Sequence, residues 1–340
     1  MEFAYRPEDL EGLDRIIVLA GPTAVGKTAL SLRLAEELNA EIVSVDSLQV
    51  YRDLNVGTAK VTEEERERIP HHLIDVVDPD EPFNAADYRR HARAAIDDIL
   101  KRGKVPLLVG GTGLYVRLLV HGVVDVPEAS EELRARYQRQ ADEHGHEVLH
   151  RRLRQVDPEL AARVHPNDLV RVTRGLEVYD QTGKALSEHQ REHRFSRPNF
   201  NALKLVLIRP REELYGRINR RVEQMIEAGL EVEYRQLLER GFSSDLKPMQ
   251  SLGYKEMGDH LFKGLSLEET VVAIQRATRR YAKKQISWFR SEPQTHWAMA
   301  PILCDGEVPN RVLRDLRAFL RGEVICELEW AKVDPYNVSR

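Results

Sequence analysis

The run Gly21-Pro22-Thr23-Ala24-Val25-Gly26-Lys27-Thr28 fits G-x-x-x-x-G-K-[ST], a glycine-rich loop that wraps backbone N–H groups around phosphate oxygens. The glycines let the chain turn inward, a following helix adds the partial positive charge of its N-terminus, and Lys27 reaches the outer phosphate as a point charge. The Thr28 hydroxyl is the expected protein ligand of a Mg²⁺ ion held by those phosphates. Asp46 is a second candidate. Glu41 to Ser47 reads as a strand, and parallel sheets carry their chemistry just beyond such carboxyl ends. Asp46 equally suits a cap of the next turn. A second glycine run, Gly110-Gly111-Thr112-Gly113, follows the apolar stretch Val105 to Val109 and is expected on the same edge.

Regular elements must hold these groups. Ile16 to Ala20 reads as a buried parallel strand, and Leu30, Leu34 and Leu38 fall on one helix face. Asn84 is an N-cap candidate with Asp87 three residues on, ahead of the apolar positions Tyr88, Ala92, Ala95, Ile96 and Ile99. Strands alternating with helices predict a doubly wound α/β core. From Pro127 to Pro198 the strand signals stop, and Arg, Glu, Gln and His dominate, including six of the twelve histidines at scattered spacing. Surface histidines explain these better than a metal site. Strand composition returns at Leu203 to Ile208, and a helix is expected from Glu212 to Arg240, ended by Gly241. Its Arg217, Arg220 and Arg221 suit an arm closing over a phosphate, or plain exposed helix arginines. The predicted partition is a core of residues 14–126 and 203–320, a mostly helical insertion of 127–202, and a tail of 321–340, unanchored from about Trp330.

At 340 residues, 42% hydrophobic and 31% charged, the chain has the composition of a soluble protein with a packed core. Cys304 and Cys326 lack metal or disulfide spacing, no signal segment opens the chain, and no run is long and apolar enough for a membrane span. A cytoplasmic monomer is expected. The net charge is −4, yet Val271 to Arg290 carries six basic residues and no acidic one. On a helix, Arg276, Arg280, Lys283 and Lys284 take neighbouring faces, with Ile274, Ala277, Tyr281 and Trp288 as the buried stripe. Such a face is either solvated or meets an anion, and the missing carboxylates favour the anion.

A phosphate loop by itself does not choose among GTPases, ATPase motors, kinases and transferases. The chain has no Asn-Lys-x-Asp guanine reader, and Val105 to Val109 ends in glycines where a motor carries Asp. A kinase-like phosphate-loop fold, with kinase or kinase-derived transfer chemistry, remains. Further segments then carry a resemblance: Ser44-Val45-Asp46-Ser47-Leu48-Gln49-Val50-Tyr51, Asn55-Val56-Gly57-Thr58-Ala59-Lys60, Pro70 to Asp75, Phe83 to Tyr88, Gly110 to Tyr115, His165 to Asp168, Gly253-Tyr254-Lys255-Glu256 and Arg280 to Arg290. Together with the loop they resemble, in order from about Arg15 to Arg290, the bacterial tRNA dimethylallyltransferase family.

The resemblance implies transfer of a dimethylallyl group from dimethylallyl diphosphate to N6 of the adenosine 3′ of the anticodon, in tRNAs reading codons that begin with U. The phosphate loop, Thr23 included, would then hold a leaving diphosphate, with Lys27, Thr28 and Mg²⁺ balancing its charge. Asp46 would accept the proton of the attacking amine. The adenine would be flipped into a channel through the protein, meeting Asp46, Ser47, Leu48 and Gln49, with Thr112 lining the passage. By the same resemblance Arg134, Val170, Arg171 and Arg174, with Gln250, Ser251, Leu252, Gly253, Tyr254 and Lys255, would contact the tRNA anticodon stem-loop. Arg276, Arg280 and Lys284 fit its backbone, and Arg217 and Arg221 are assigned to the diphosphate. Two other classes stay in view. A small-molecule kinase leaves the basic helix and the insertion unexplained, and a non-catalytic tRNA-binding module leaves Asp46 and Thr28 without a purpose.

Overall fold

Ile16 to Ala20 is buried throughout and forms the heart of β1 (Arg15–Ala20), as an aliphatic run between two paired neighbours must. The computed structural model describes residues 5–122, 124, 126–193, 198–323 and 328–333. After β1 come α1 (Lys27–Leu38), β2 (Ala40–Val45), α2 (Glu63–Arg68), the short β3 (His71–His72), α3 (Ala85–Lys101), β4 (Val105–Gly110) and α4 (Gly113–His121). Five helices follow: α5 (Glu131–His144), α6 (His146–Val156), α7 (Pro158–Arg163), α8 (Leu169–Thr182) and α9 (Leu186–His193). The chain then returns through β5 (Asn201–Ile208), α10 (Arg211–Glu227), α11 (Leu230–Glu239), α12 (Tyr254–Lys263) and α13 (Leu267–Arg290). It closes with β6 (Thr295–Met299), α14 (Ala300–Cys304) and α15 (Asn310–Arg321).

The strands form one parallel sheet in the order β3-β2-β4-β1-β5-β6. The chain builds one side of β1 first and the other afterwards, so the topology reverses at β1, where open α/β sheets place their ligands. The α/β reading therefore holds. As anticipated, the Asn84 side chain accepts from the amides of Ala86 (2.7 Å) and Asp87 (3.2 Å), a cap worth about 1 kcal/mol.

Two compact units divide the chain: residues 1–120 with 199–340, and residues 121–198. The second contains α5 to α9 around its own core of Tyr137, Leu149, Leu153, Val172 and Leu176. Three expectations need correction. The helix expected from Glu212 to Arg240 is broken, because Gly229 takes φ +93° between α10 and α11. The buried stripe of α13 is Thr270, Ile274, Thr278, Ala282, Gln285, Ile286 and Phe289, whereas Ala277 and Trp288 are half-buried and Tyr281 is 39% exposed. Thr278 can be buried because its hydroxyl donates to the Ile274 carbonyl (2.7 Å). Residues 328–333 are anchored: Trp330 is buried with its indole N–H on Asp315 (2.9 Å), and the Val333 amide donates to Trp297 O (3.1 Å). Cys326 lies outside the described residues.

Candidate active site

The phosphate loop leaves β1 and enters α1 through Gly26, whose φ of +115° favours glycine, and Cys304 Sγ packs tightly there, 3.1 Å from where a Cβ would stand. Among the described residues no side chain caps α1, and a helix N-terminus of this kind can accept an anion. Lys27 Nζ folds onto the loop, donating to Gly21 O (2.9 Å) and Pro22 O (2.8 Å). Burial, reinforced by the positive charge of Arg221 and opposed by Asp46, pushes the Lys27 ammonium down to about 7. Val25 is buried and its carbonyl accepts from Arg209 Nε (2.8 Å). Arg209 is itself held by Asp305.

A cavity of about 620 Å³ opens beside the loop. Thr23, Ala24, Gly26, Lys27 and Thr28 line it from the loop, Asp46 and Gln49 from the end of β2, and Arg217 and Arg221 from α10. Arg217 Nε donates to Ala24 O (2.9 Å), tying α10 to the loop, and burial lowers the affinity of the Arg221 guanidinium for its proton. Asp46 Oδ1 accepts from the amides of Leu48 (2.8 Å) and Gln49 (3.3 Å). It caps the turn, and the same turn presents it to the cavity; the two readings of Asp46 are compatible. Ser47 and Leu48 are half-buried on that turn. The second glycine loop is fastened to the same strand end, since the amides of Gly111 and Thr112 both donate to Val45 O (3.2 Å each).

The cavity also includes Arg220, which the sequence groups with Arg217 and Arg221, and five residues to which the sequence reading gives no individual site role: Thr58, Lys60, Gln224, Tyr281 and Gln285. Gln285 accepts from the Thr23 amide (2.9 Å) and donates to Gly111 O (3.1 Å), bridging the two glycine loops from α13. Arg220 and Gln224 follow Arg217 at helical spacing, a signal present in the sequence. Lys60 donates to Tyr51 O (2.8 Å) and Asp75 (2.7 Å), and burial lowers its proton affinity.

The residues assigned to RNA by resemblance fall in several environments. Arg276, Arg280 and Lys284 are exposed on α13. Gln250 and Lys255 are exposed, Ser251 and Leu252 are half-buried, and Gly253 is buried at the start of α12. Tyr254 is fully buried, its hydroxyl donating to Glu233 (2.6 Å), so its side chain is not available to RNA. Within the insertion Val170 is 78% exposed, and Arg171 pairs with Asp168 at 3.4 Å. Arg134 and Arg174 both lean on the buried Glu177 (2.9 and 3.3 Å), and Arg174 also donates to Pro127 O (2.6 Å). They are held arginines, not freely solvated ones.

Among the described residues no cluster of three or more acidic, histidine or cysteine side chains is arranged to hold a metal. Thr28 is exposed and lines the cavity, and a threonine hydroxyl there fits a divalent ion whose other ligands are substrate oxygens and water. Among the described residues no helix is long and apolar enough to cross a membrane.

A model of the IPP transferase family matches residues 49–292, more than half of the chain. A protein of Pelobacter propionicus named tRNA dimethylallyltransferase 1 is 51% identical over 289 residues, 85% of this chain and 94% of that one. One of Syntrophotalea carbinolica with the same name is 52% identical over 282 residues, covering 83% and 90%. The solved full-length tRNA isopentenylpyrophosphate transferase of Bacillus halodurans superposes with a TM-score of 0.66 at 40% identity, over 91% of this chain and 96% of that one. A eukaryotic dimethylallyltransferase, solved acting on tRNA, gives a TM-score of 0.80 at 32% identity, over 93% and 81%.

Proposed function

The chain belongs to the IPP transferase family, and from that premise we propose that it transfers the dimethylallyl group of dimethylallyl diphosphate to the exocyclic N6 of the adenosine 3′ of the anticodon. The tRNAs concerned are those reading codons that begin with U. It is thus an enzyme of tRNA prenylation. The observation that carries the finer reading is one cavity shared by a phosphate loop, two arginines and a carboxylate at a strand end.

In this reading the N6 lone pair attacks the allylic carbon, the carbon–oxygen bond breaks, and diphosphate leaves. The exocyclic amine shares its lone pair with the ring and is a poor nucleophile. A carboxylate that takes the proton as the new bond forms therefore lowers the barrier, and Asp46 is that group. Charge on the leaving oxygen is met by loop amides, Lys27, Arg217 and Arg221. Thr28 would hold Mg²⁺, which when bound neutralises diphosphate charge. Exposed Arg276, Arg280 and Lys284, on the helix that carries Gln285 into the cavity, suit the tRNA backbone.

The test is incubation with labelled dimethylallyl diphosphate, Mg²⁺ and unmodified tRNA, followed by nucleoside digestion. Label on the adenosine 3′ of the anticodon supports the reading. Unlabelled tRNA, together with ATP consumption on a small alcohol, would replace it with the kinase alternative.

A further inference from the structure

Glu233 on α11 is a buried carboxylate outside the cavity with an unusually full set of donors. Its Oε2 accepts from the amides of Asn55 (2.8 Å) and Val56 (2.7 Å). Its Oε1 accepts from the Gly57 amide (3.1 Å) and the Tyr254 hydroxyl (2.6 Å). Four donors match the acceptor sites of one ionised carboxylate, and no other side chain of that size offers as many. The Tyr254 ring closes the arrangement from the other side: a Cβ on Gly57 would lie 2.5 Å from two of its ring carbons. Glycine is needed there for space, since the loop backbone rests on the ring.

The clamped segment leads into the cavity. Thr58 and Lys60 line it immediately after Gly57. Thr58 O accepts from Gln49 Nε2 (3.4 Å), and the Gln49 amide is one of the two that hold Asp46 Oδ1. A continuous path therefore runs from Tyr254, inside the segment 250–255, through Glu233 and residues 55–58 to the turn carrying Asp46.

We propose that Glu233 is a positioning residue for the transfer reaction, fixing the loop of residues 55–60 and with it the orientation of Gln49 and Asp46, and that Tyr254 links this clamp to the segment beside it. The proposal rests on the prenyl-transfer reading above. It explains why Tyr254 is buried within a segment whose neighbours Gln250 and Lys255 are exposed.

The experiment uses Glu233→Gln and Tyr254→Phe in the full chain. The glutamine keeps shape but turns an NH₂ toward backbone N–H donors, and the phenylalanine removes only a hydroxyl. Thermal unfolding and inorganic pyrophosphate binding are measured beside the single-turnover rate on tRNA-bound enzyme. Both variants should fold and bind pyrophosphate within about twofold of the parent, while Glu233→Gln slows single turnover by about ten- to a hundredfold, the range expected when a reacting group is misplaced. Tyr254→Phe should move the same way by less. Folded Glu233→Gln turning over at the parent rate overturns the proposal, as does equal loss of pyrophosphate binding and rate, which marks a purely structural part. Should Glu233→Gln fail to fold, an unchanged rate in Tyr254→Phe overturns it. If the parent itself transfers nothing to tRNA, the prenyl-transfer reading has failed instead.

Discussion

Asp46 is held by two backbone amides at the end of β2 and lines the cavity that the phosphate loop opens. Asp46→Ala should lower turnover on the order of 10²–10⁴-fold with tRNA affinity retained, as expected for loss of a general base; a variant with near-parent turnover would remove Asp46 from the mechanism. Lys27 makes a second prediction because burial places its ammonium near pH 7. A diphosphate favours the charged form, so binding should take up a proton above that pH. Affinity should then weaken by about tenfold per pH unit until the bound-state value is reached. Titration calorimetry in buffers of different ionisation enthalpy reads this uptake, with Lys27→Met as the reference. Equal uptake by both proteins would show that Lys27 does not change its protonation on binding. At this scale the loop and Asp46 were legible, because motif and strand end are local. Gln285 was not: its bond to Thr23 spans 262 positions, and no local pattern marks it.

The basic face of α13 was visible as a run without acid, and the exposed positions of Arg276, Arg280 and Lys284 agree with it. Of the expected buried face Ile274 is buried, but apolarity alone does not mark the rest. Thr278 and Gln285 are buried with their polar groups bonded, and Tyr281 turns to the cavity. The break at Gly229 had its signal in the sequence, a glycine free to adopt positive φ, but the helical pattern on either side masks it. Neutralising Arg276, Arg280 and Lys284 together should weaken tRNA binding and flatten its salt dependence, by up to about one unit of log–log slope for each phosphate no longer neutralised. Binding curves with unchanged slope would place RNA elsewhere.

Across the molecule, the parallel α/β core was readable because buried strands, glycine loops and the Asn84 cap each leave a short-range imprint. The two-residue β3 and the late edge strand β6 were not, as neither carries a long apolar run; β6 is held by pairing with β5 across more than eighty residues of chain. The same long-range packing anchors residues 328–333, which lack local periodicity. The core folds so that one cavity at the carboxyl ends of the strands brings the glycine loop with Lys27, Arg217, Arg221 and the Asp46 carboxylate together. In the proposed reaction the phosphate loop cradles a leaving group and hydrolyses no nucleotide. Counting diphosphate released against adenosines modified, with dimethylallyl diphosphate and tRNA present and ATP left out, separates these two uses of the loop. One diphosphate per modified adenosine is the expected result; no release until ATP is added would contradict the leaving-group role.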